Sequence, residues 1–296
     1  MHFIVPTPIV LIAFVAFTTA WMPIATVSGQ STDSIPSRPA DRPRDLPDSL
    51  PDSMPDSAKW MASLSSDALN VYRDGQTLWL QPTAESIEAR KLNLPRLCAP
   101  IRSLRWHGDA ERELNFVPEP DHWRFSWKTP VDSGSMIQVV FDGDPLLPGE
   151  SSPAEPDGDG SVMLFAHQAA TFGEKLRFEP QWYKNTVGYW TVAKDYATWD
   201  LKLDQPGRYS VAVLQGCGQG QGGSDAVITL RDEATIVAEL PFQTIDTGHF
   251  QNFRWNHLGD LTVSEPGTYQ LRIDATRIAK GALFDVRAIH LVKQAK

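Results

Sequence analysis

From residue 162 to the C-terminus, short apolar runs return about every ten residues, a spacing typical of sandwich strands. They read VMLFA, KLRFEP, VGYWTV, TWDLKL, RYSVAVL, AVITL, TIVAELPF, LGDLTV, YQLRI and LFDVRAIHL, and turns such as QPGR and EPGT separate some of them. In YQLRID the period is two: Tyr269, Leu271 and Ile273 share one face, and Gln270, Arg272 and Asp274 share the other. Successive strand side chains point to opposite faces, so this pattern marks a half-buried strand. Many such strands joined by short turns close as a β-sandwich or jelly roll. No long helical stripe follows the N-terminal region. The chain of 296 residues also leaves no space for a (β/α)₈ barrel beside its linkers, since that fold takes about 250 residues.

The same signals occur upstream. In VYRDGQTLWLQ, Asp74-Gly75 sits between two strand-like runs, the composition of a tight hairpin. WRFSWK at 123–128 places Trp123, Phe125 and Trp127 on one face, and SMIQVVFD at 135–142 reads as a further strand. Between the two sets lies DGDPLLPGESSPAEPDGDG at 142–160. The expected fold class is therefore all-β: two β-sandwich or jelly-roll modules, at 59–143 and 159–296, with a linker at 144–158. Residues 30–58 carry the repeat LPDS-LPDS-MPDS and read as a disordered Pro/Asp/Ser linker. Residues 3–27 are almost wholly apolar, which marks 1–29 as a signal peptide cut near Gln30. An uncleaved anchor is the alternative, because the run is long enough to span a bilayer. Either way the modules are expected to be secreted, periplasmic or at the cell surface.

The net charge is -9, so nucleic acid and anionic membrane surfaces are excluded as expected partners. Membrane association is expected only through an uncleaved signal. Cys98 and Cys217 are the only cysteines, and the sequence leaves their pairing open.

Two motifs imitate chemistry. Gly218, Gly220 and Gly223 in LQGCGQGQGGS match G-x-G-x-x-G, the spacing of a pyrophosphate-binding loop. That loop works only when a helix follows and offers its N-terminal N–H groups. Here the strand-like AVITL follows, so the glycines are expected to serve a β-to-β loop. Cys98-Ala99-Pro100-Ile101-Arg102 matches C-x-P-x-R, which resembles the core of the sulfatase signature. No Asp-Asp pair precedes it to help hold a metal, and Cys98 is expected to be a buried structural thiol.

Two resemblances frame the whole. VYRDGQTLWLQP, LNLPRL, IRSLRWHGDAERELNF and WRFSWKTPVDSGSMIQVVFDG together resemble the C-terminal β-sandwich of bacterial alpha-L-fucosidases. The catalytic barrel of that family is absent, so its activity does not carry over. GYWTVAKDYATWDLKL, PGRYSVAVLQGCGQGQGGS and DTGHFQNF resemble a carbohydrate-binding-like jelly roll attached to bacterial fucosidases and sulfatases. Related modules hold a structural calcium with an Ala-Glu motif. The matching place here reads Ala166-His167-Gln168, without the acid, and no cofactor is expected.

Sugars stack on aromatic rings and hydrogen-bond to planar polar groups. WYKNTVGYW offers Trp182, Tyr183, Asn185 and Tyr189, and DTGHFQNF offers Asp246, His249, Gln251 and Asn252. Set against this, Trp190 and Trp199 read as core, and Asp246-Thr247 as an Asx-type turn. A Cys217–His249 dyad oriented by Asp246 has the residue types but no spacing that brings them together. The resulting expectation is a non-catalytic glycan-binding accessory protein, for fucosylated or sulfated polymers. The alternatives are a scaffold for a secreted glycoside hydrolase or sulfatase, or a truncated fucosidase-like or sulfatase-like hydrolase.

Overall fold

Asp74 pairs with Thr77 across a two-residue turn in which Gly75 has φ 56°, the left-handed conformation that the Asp-Gly signal implies. The computed structural model describes residues 54–233 and 235–295. The signal peptide and all but the last five residues of the expected 30–58 linker lie outside them. Met54 and Ala58, from those five, pack on Tyr72, Trp79 and Met136.

The first module contains β1 (Lys59–Trp60), β2 (Leu69–Asp74), β3 (Thr77–Pro82), a short helix α1 (Ala84–Ala89), β4 (Lys91–Pro95), β5 (Ile101–Trp106), β6 (Asn115–Pro118), β7 (His122–Ser126) and β8 (Ile137–Phe141). Its two antiparallel sheets have the orders β1-β2-β3-β8-β5 and β4-β7-β6. Trp123, Phe125 and Trp127 are buried while Arg124 and Lys128 are exposed, as the alternation predicts.

The second module contains β9 (Val162–Phe165), β10 (Ala170–Phe172), β11 (Arg177–Glu179), β12 (Thr186–Gly188), β13 (Tyr196–Leu203), β14 (Gly207–Cys217), β15 (Asp225–Asp232), β16 (Thr235–Gln243), β17 (His249–Val263), β18 (Gly267–Arg277) and β19 (Asp285–Lys293). One sheet runs β10-β13-β18-β15-β16. The other runs β11-β12-β19-β14-β17, and β9 also pairs with β19. Tyr269, Leu271 and Ile273 point inward with Trp199, Val211, Val213, Ile289 and Leu291. The fold is all-β.

Residues 144–158 lie against both modules. Cys98 N donates to Leu146 O, Ala154 N to Asp200 O, and Lys202 N to Ala154 O. The modules also touch directly: Ile101 N donates to Pro180 O at 2.7 Å, and Trp182 N donates to Ile101 O at 3.1 Å. Buried apolar side chains of both form one continuous cluster.

One buried acid organises the start of the second sandwich. Asp195 accepts from the backbone N–H groups of Glu174, Lys175 and Leu176 at 2.8–2.9 Å. Asp195→Ala removes the acceptor of all three, of which the Leu176 N–H is fully buried. The substitution is expected to cost roughly 2–3 kcal/mol in urea unfolding, because a buried donor left unsatisfied loses its full desolvation energy.

Candidate functional site

Strand β12 stops at Gly188 because the next two residues go opposite ways. Trp190 turns inward, stacks on Phe284 at 5.7 Å and donates its indole N–H to Asp195 O at 2.9 Å. Its carbonyl accepts from Leu283 N at 2.8 Å. Tyr189 turns outward with φ 59°, and Thr191 N closes the turn onto Tyr189 O at 2.9 Å. A bulky residue in the left-handed region is strained by about 1–3 kcal/mol, and such strain clusters at binding sites. The Tyr189 ring is left 47% exposed. The Arg177 guanidinium lies 3.4 Å from the ring centroid and is held at 3.0 Å by Glu119 of the first module. A cation over the ring face restrains the ring without covering both sides of it.

The facing wall is Phe250, at the start of β17. A Cβ at residue 216 would lie 1.9 Å from the Phe250 carbonyl oxygen, and one at residue 218 would lie 2.7 Å from its ring. Gly216 and Gly218 are therefore required by close approach. The glycine cluster thus cradles the wall of a pocket and holds no phosphate-binding helix, since β15 follows it.

The floor is charged. Glu179 and Asp285 are both buried, and one oxygen of each lies within 3.0 Å of the point where a Cβ of residue 188 would sit. Gly188 lets the two carboxyls converge. The Lys184 ammonium forms an ion pair with Glu179. Burial works against that ammonium, but the bond to Glu179 prevails and raises its pKa. Arg287 positions the lysine by donating to the carbonyls of Tyr183 and Lys184 at 2.9 and 2.6 Å, with its guanidinium 3.7 Å from the Phe253 ring centroid. Asp285 is 8% exposed, and its carboxyl, without a hydrogen bond from the described residues, opens onto the cavity. Burial, then Glu179, push its pKa well above the ordinary 3.8, and Lys184 offsets only part of this. Tyr189, Phe250 and these three charged groups enclose about 250 Å³ together with Thr191, Gln251 and Ala282.

Of the residues expected from sequence, Tyr189 and Gln251 meet at this pocket. Trp182 and Tyr183 form an edge-to-face pair at 5.7 Å on the β11–β12 connection, 72% and 48% exposed, and do not line it. Asn185, at φ 39°, closes that connection by donating its N–H to Gln181 O at 2.8 Å. Asp246 is the Asx-type turn: its carboxylate accepts from Gly248 N at 2.7 Å and from Gly220 N. Asn252 donates to the Thr247 carbonyl. His249 is exposed, and its Nδ1 accepts from Gln251 N at 3.0 Å.

The dyad does not form. Cys217 faces His249 in the strand ladder, but burial, with Asp246 and Asp285 adding to it, pushes its thiol up to about 11. Cys98 and Cys217 are both free and buried. Ala166–Gln168 is a 3-10 turn in which Gln168 accepts from Phe165 N at 2.8 Å. Among the described residues no three His, Cys, Asp or Glu side chains are grouped to hold a metal.

Glu179, Phe250 and Asp285 escaped the sequence reading. A signal existed for Asp285: an acid inside the apolar strand LFDVRAIHL is out of place unless it serves a site.

No family model matches the chain, and no curated protein matches it. Solved structures do. An alpha-L-fucosidase from Vibrio sp. strain EJY3 aligns at 12% identity and a TM-score of 0.31, over 76% of this chain and 39% of that one. The C-terminal CBM6 of LamC, a marine laminarinase from Zobellia galactanivorans, aligns at 17% and 0.36, over 45% of this chain and 99% of that one. A family 35 carbohydrate binding module from Clostridium thermocellum aligns at 16% and 0.36, over 45% and 98%. The chain spans well under half the length of the fucosidase.

Two outcomes follow from the pocket's construction. Gly216→Ala is expected to destabilise the fold by at least about 2 kcal/mol in urea, through overpacking against backbone that cannot yield. Asp285 carries a pKa raised in the folded state, so its protonated form stabilises the fold at low pH. That stabilisation is expected to fade as pH rises from near 4 through the folded pKa, because the unfolded chain gives up its proton first. Urea midpoints measured against pH should show this slope in the native chain and a flatter profile in Asp285→Asn.

Proposed function

We propose that the protein is an exported, non-catalytic saccharide-binding protein that takes one sugar ring in the pocket between Tyr189 and Phe250. The carrying observation is Tyr189 itself, held at positive φ and stacked on Arg177, so that an aromatic face is fixed beside polar groups. Rigid aromatics bind sugar C–H faces without losing conformational entropy on binding. Glu179, Lys184, Gln251 and Asp285 supply acceptors and donors for hydroxyls around the ring. The first module supports the site through Glu119 and Arg177.

One observation favours a second reading. Two carboxyls converge over Gly188, and glycoside hydrolases work with such pairs. Lys184 occupies Glu179, which favours binding over catalysis.

The test uses the whole chain on a glycan array, followed by calorimetry on whatever binds. Tyr189→Ala and Phe250→Ala are each expected to weaken binding at least about tenfold, equivalent to ~1.4 kcal/mol of lost stacking. Trp182→Ala is expected to leave affinity unchanged, because its ring is outside the pocket. Absence of binding to every glycan overturns the reading. Turnover of aryl glycosides that disappears in both Glu179→Gln and Asp285→Asn transfers the function to hydrolysis.

A further inference from the structure

The pocket holds two carboxyls and one ammonium, and the ammonium is already occupied by Glu179. The two nearby guanidinium groups are not available either. Arg177 lies on Tyr189 and pairs with Glu119, while Arg287 donates to backbone carbonyls, and neither lines the cavity. Asp285 is the group left over. It is nine-tenths buried, it lines the cavity, and among the described residues its carboxyl has no hydrogen bond or ion pair. Its oxygens open onto the cavity, so what enters the cavity, water or a ligand donor, completes them.

A neutral hydroxyl would satisfy one lone pair of Asp285. A cation would satisfy the charge as well, because charge-assisted hydrogen bonds are roughly twice as strong as neutral ones. An anion meets the opposite situation. A sulfate or a uronate placed here meets Asp285 and the closed Glu179–Lys184 pair with no free basic group, so nothing offsets the loss of its hydration. Burial and then Glu179 hold the Asp285 pKa above its ordinary value in the free protein, with Lys184 offsetting part of this, and a ligand ammonium beside the carboxyl would draw it down.

We propose that this pocket selects saccharides carrying a free primary ammonium, with the Asp285 carboxylate as the acceptor of that ammonium, and rejects sulfated and uronate sugars. The inference rests on the saccharide reading above and narrows it. It also reverses the sequence expectation of a sulfated polymer.

The experiment is calorimetric titration of the whole chain near pH 6 with short oligosaccharides of glucosamine and of galactosamine. Their N-acetylated and sulfated counterparts are run beside them. The free-amine form of at least one sugar is expected to bind about tenfold or more tighter than its N-acetylated form, as a charge-assisted bond in place of a neutral one implies. The sulfated form is expected to be the weakest. In Asp285→Asn the amine-to-acetyl ratio should fall toward one. Lys184→Gln releases Glu179 as a second acceptor and should raise the ratio. The ratio in the native chain carries the test even if a variant does not fold. Equal or tighter binding of the N-acetylated form, or tightest binding of the sulfated form, overturns this inference and leaves the saccharide reading standing. No binding of any of these sugars, together with an empty glycan array, removes both.

Discussion

Two buried carboxyls converging over one glycine are the constraint around which the second module's rim is built. Glu179 and Asp285 sit on strands of the same sheet, and only the missing side chain of Gly188 lets their oxygens come together. Like charges withdrawn from water cannot both stay ionised without help. Lys184 answers one of them, and Arg287 fixes the loop that carries Lys184. The other is left facing the cavity. The β11–β12 connection, the β19 start and the turn at Tyr189 therefore act as one unit, and disturbing any of them changes the electrostatics of the pocket.

The walls follow a different logic, that of close approach. Phe250 reaches the cavity because Gly216 and Gly218 leave its carbonyl and ring the space they occupy. Tyr189 reaches it because Trp190 is anchored inward and the backbone between them must turn sharply. Arg177 then ties the Tyr189 ring to Glu119 in the first module. That ion pair, the two backbone hydrogen bonds at Ile101 and the continuous apolar cluster make the first sandwich a support for the pocket as well as a neighbour of it.

Much of the framework was legible before any coordinates. YQLRID and WRFSWK announce their buried faces, and Asp74-Gly75 announces its hairpin, because those signals are local: a period of two and a residue that accepts positive φ. Trp190 and Trp199 are core, as expected of them, and Asp246 behaves as the turn residue that its type suggests. The aromatic-rich stretch WYKNTVGYW divides between surface and cavity. Its most exposed ring, Trp182, is not part of the cavity lining, while Lys184 and Tyr189, two and seven residues on, line it. The glycine motif leads into strand β15, and its Gly218 makes room for Phe250, 32 residues further along the chain.

The sequence by itself determined the all-β class, the strand faces and the turns. These depend on interactions within a few residues, and the chain carries them as a pattern. Only the tertiary structure decided the pocket. Glu179, Tyr189, Phe250 and Asp285 come from four separate segments, and their meeting depends on how β11, β12, β17 and β19 are ordered across one sheet. Whether an acid is exposed and solvated or buried and without a partner is a property of that assembly, because desolvation is set by what packs around a group and not by its neighbours in sequence.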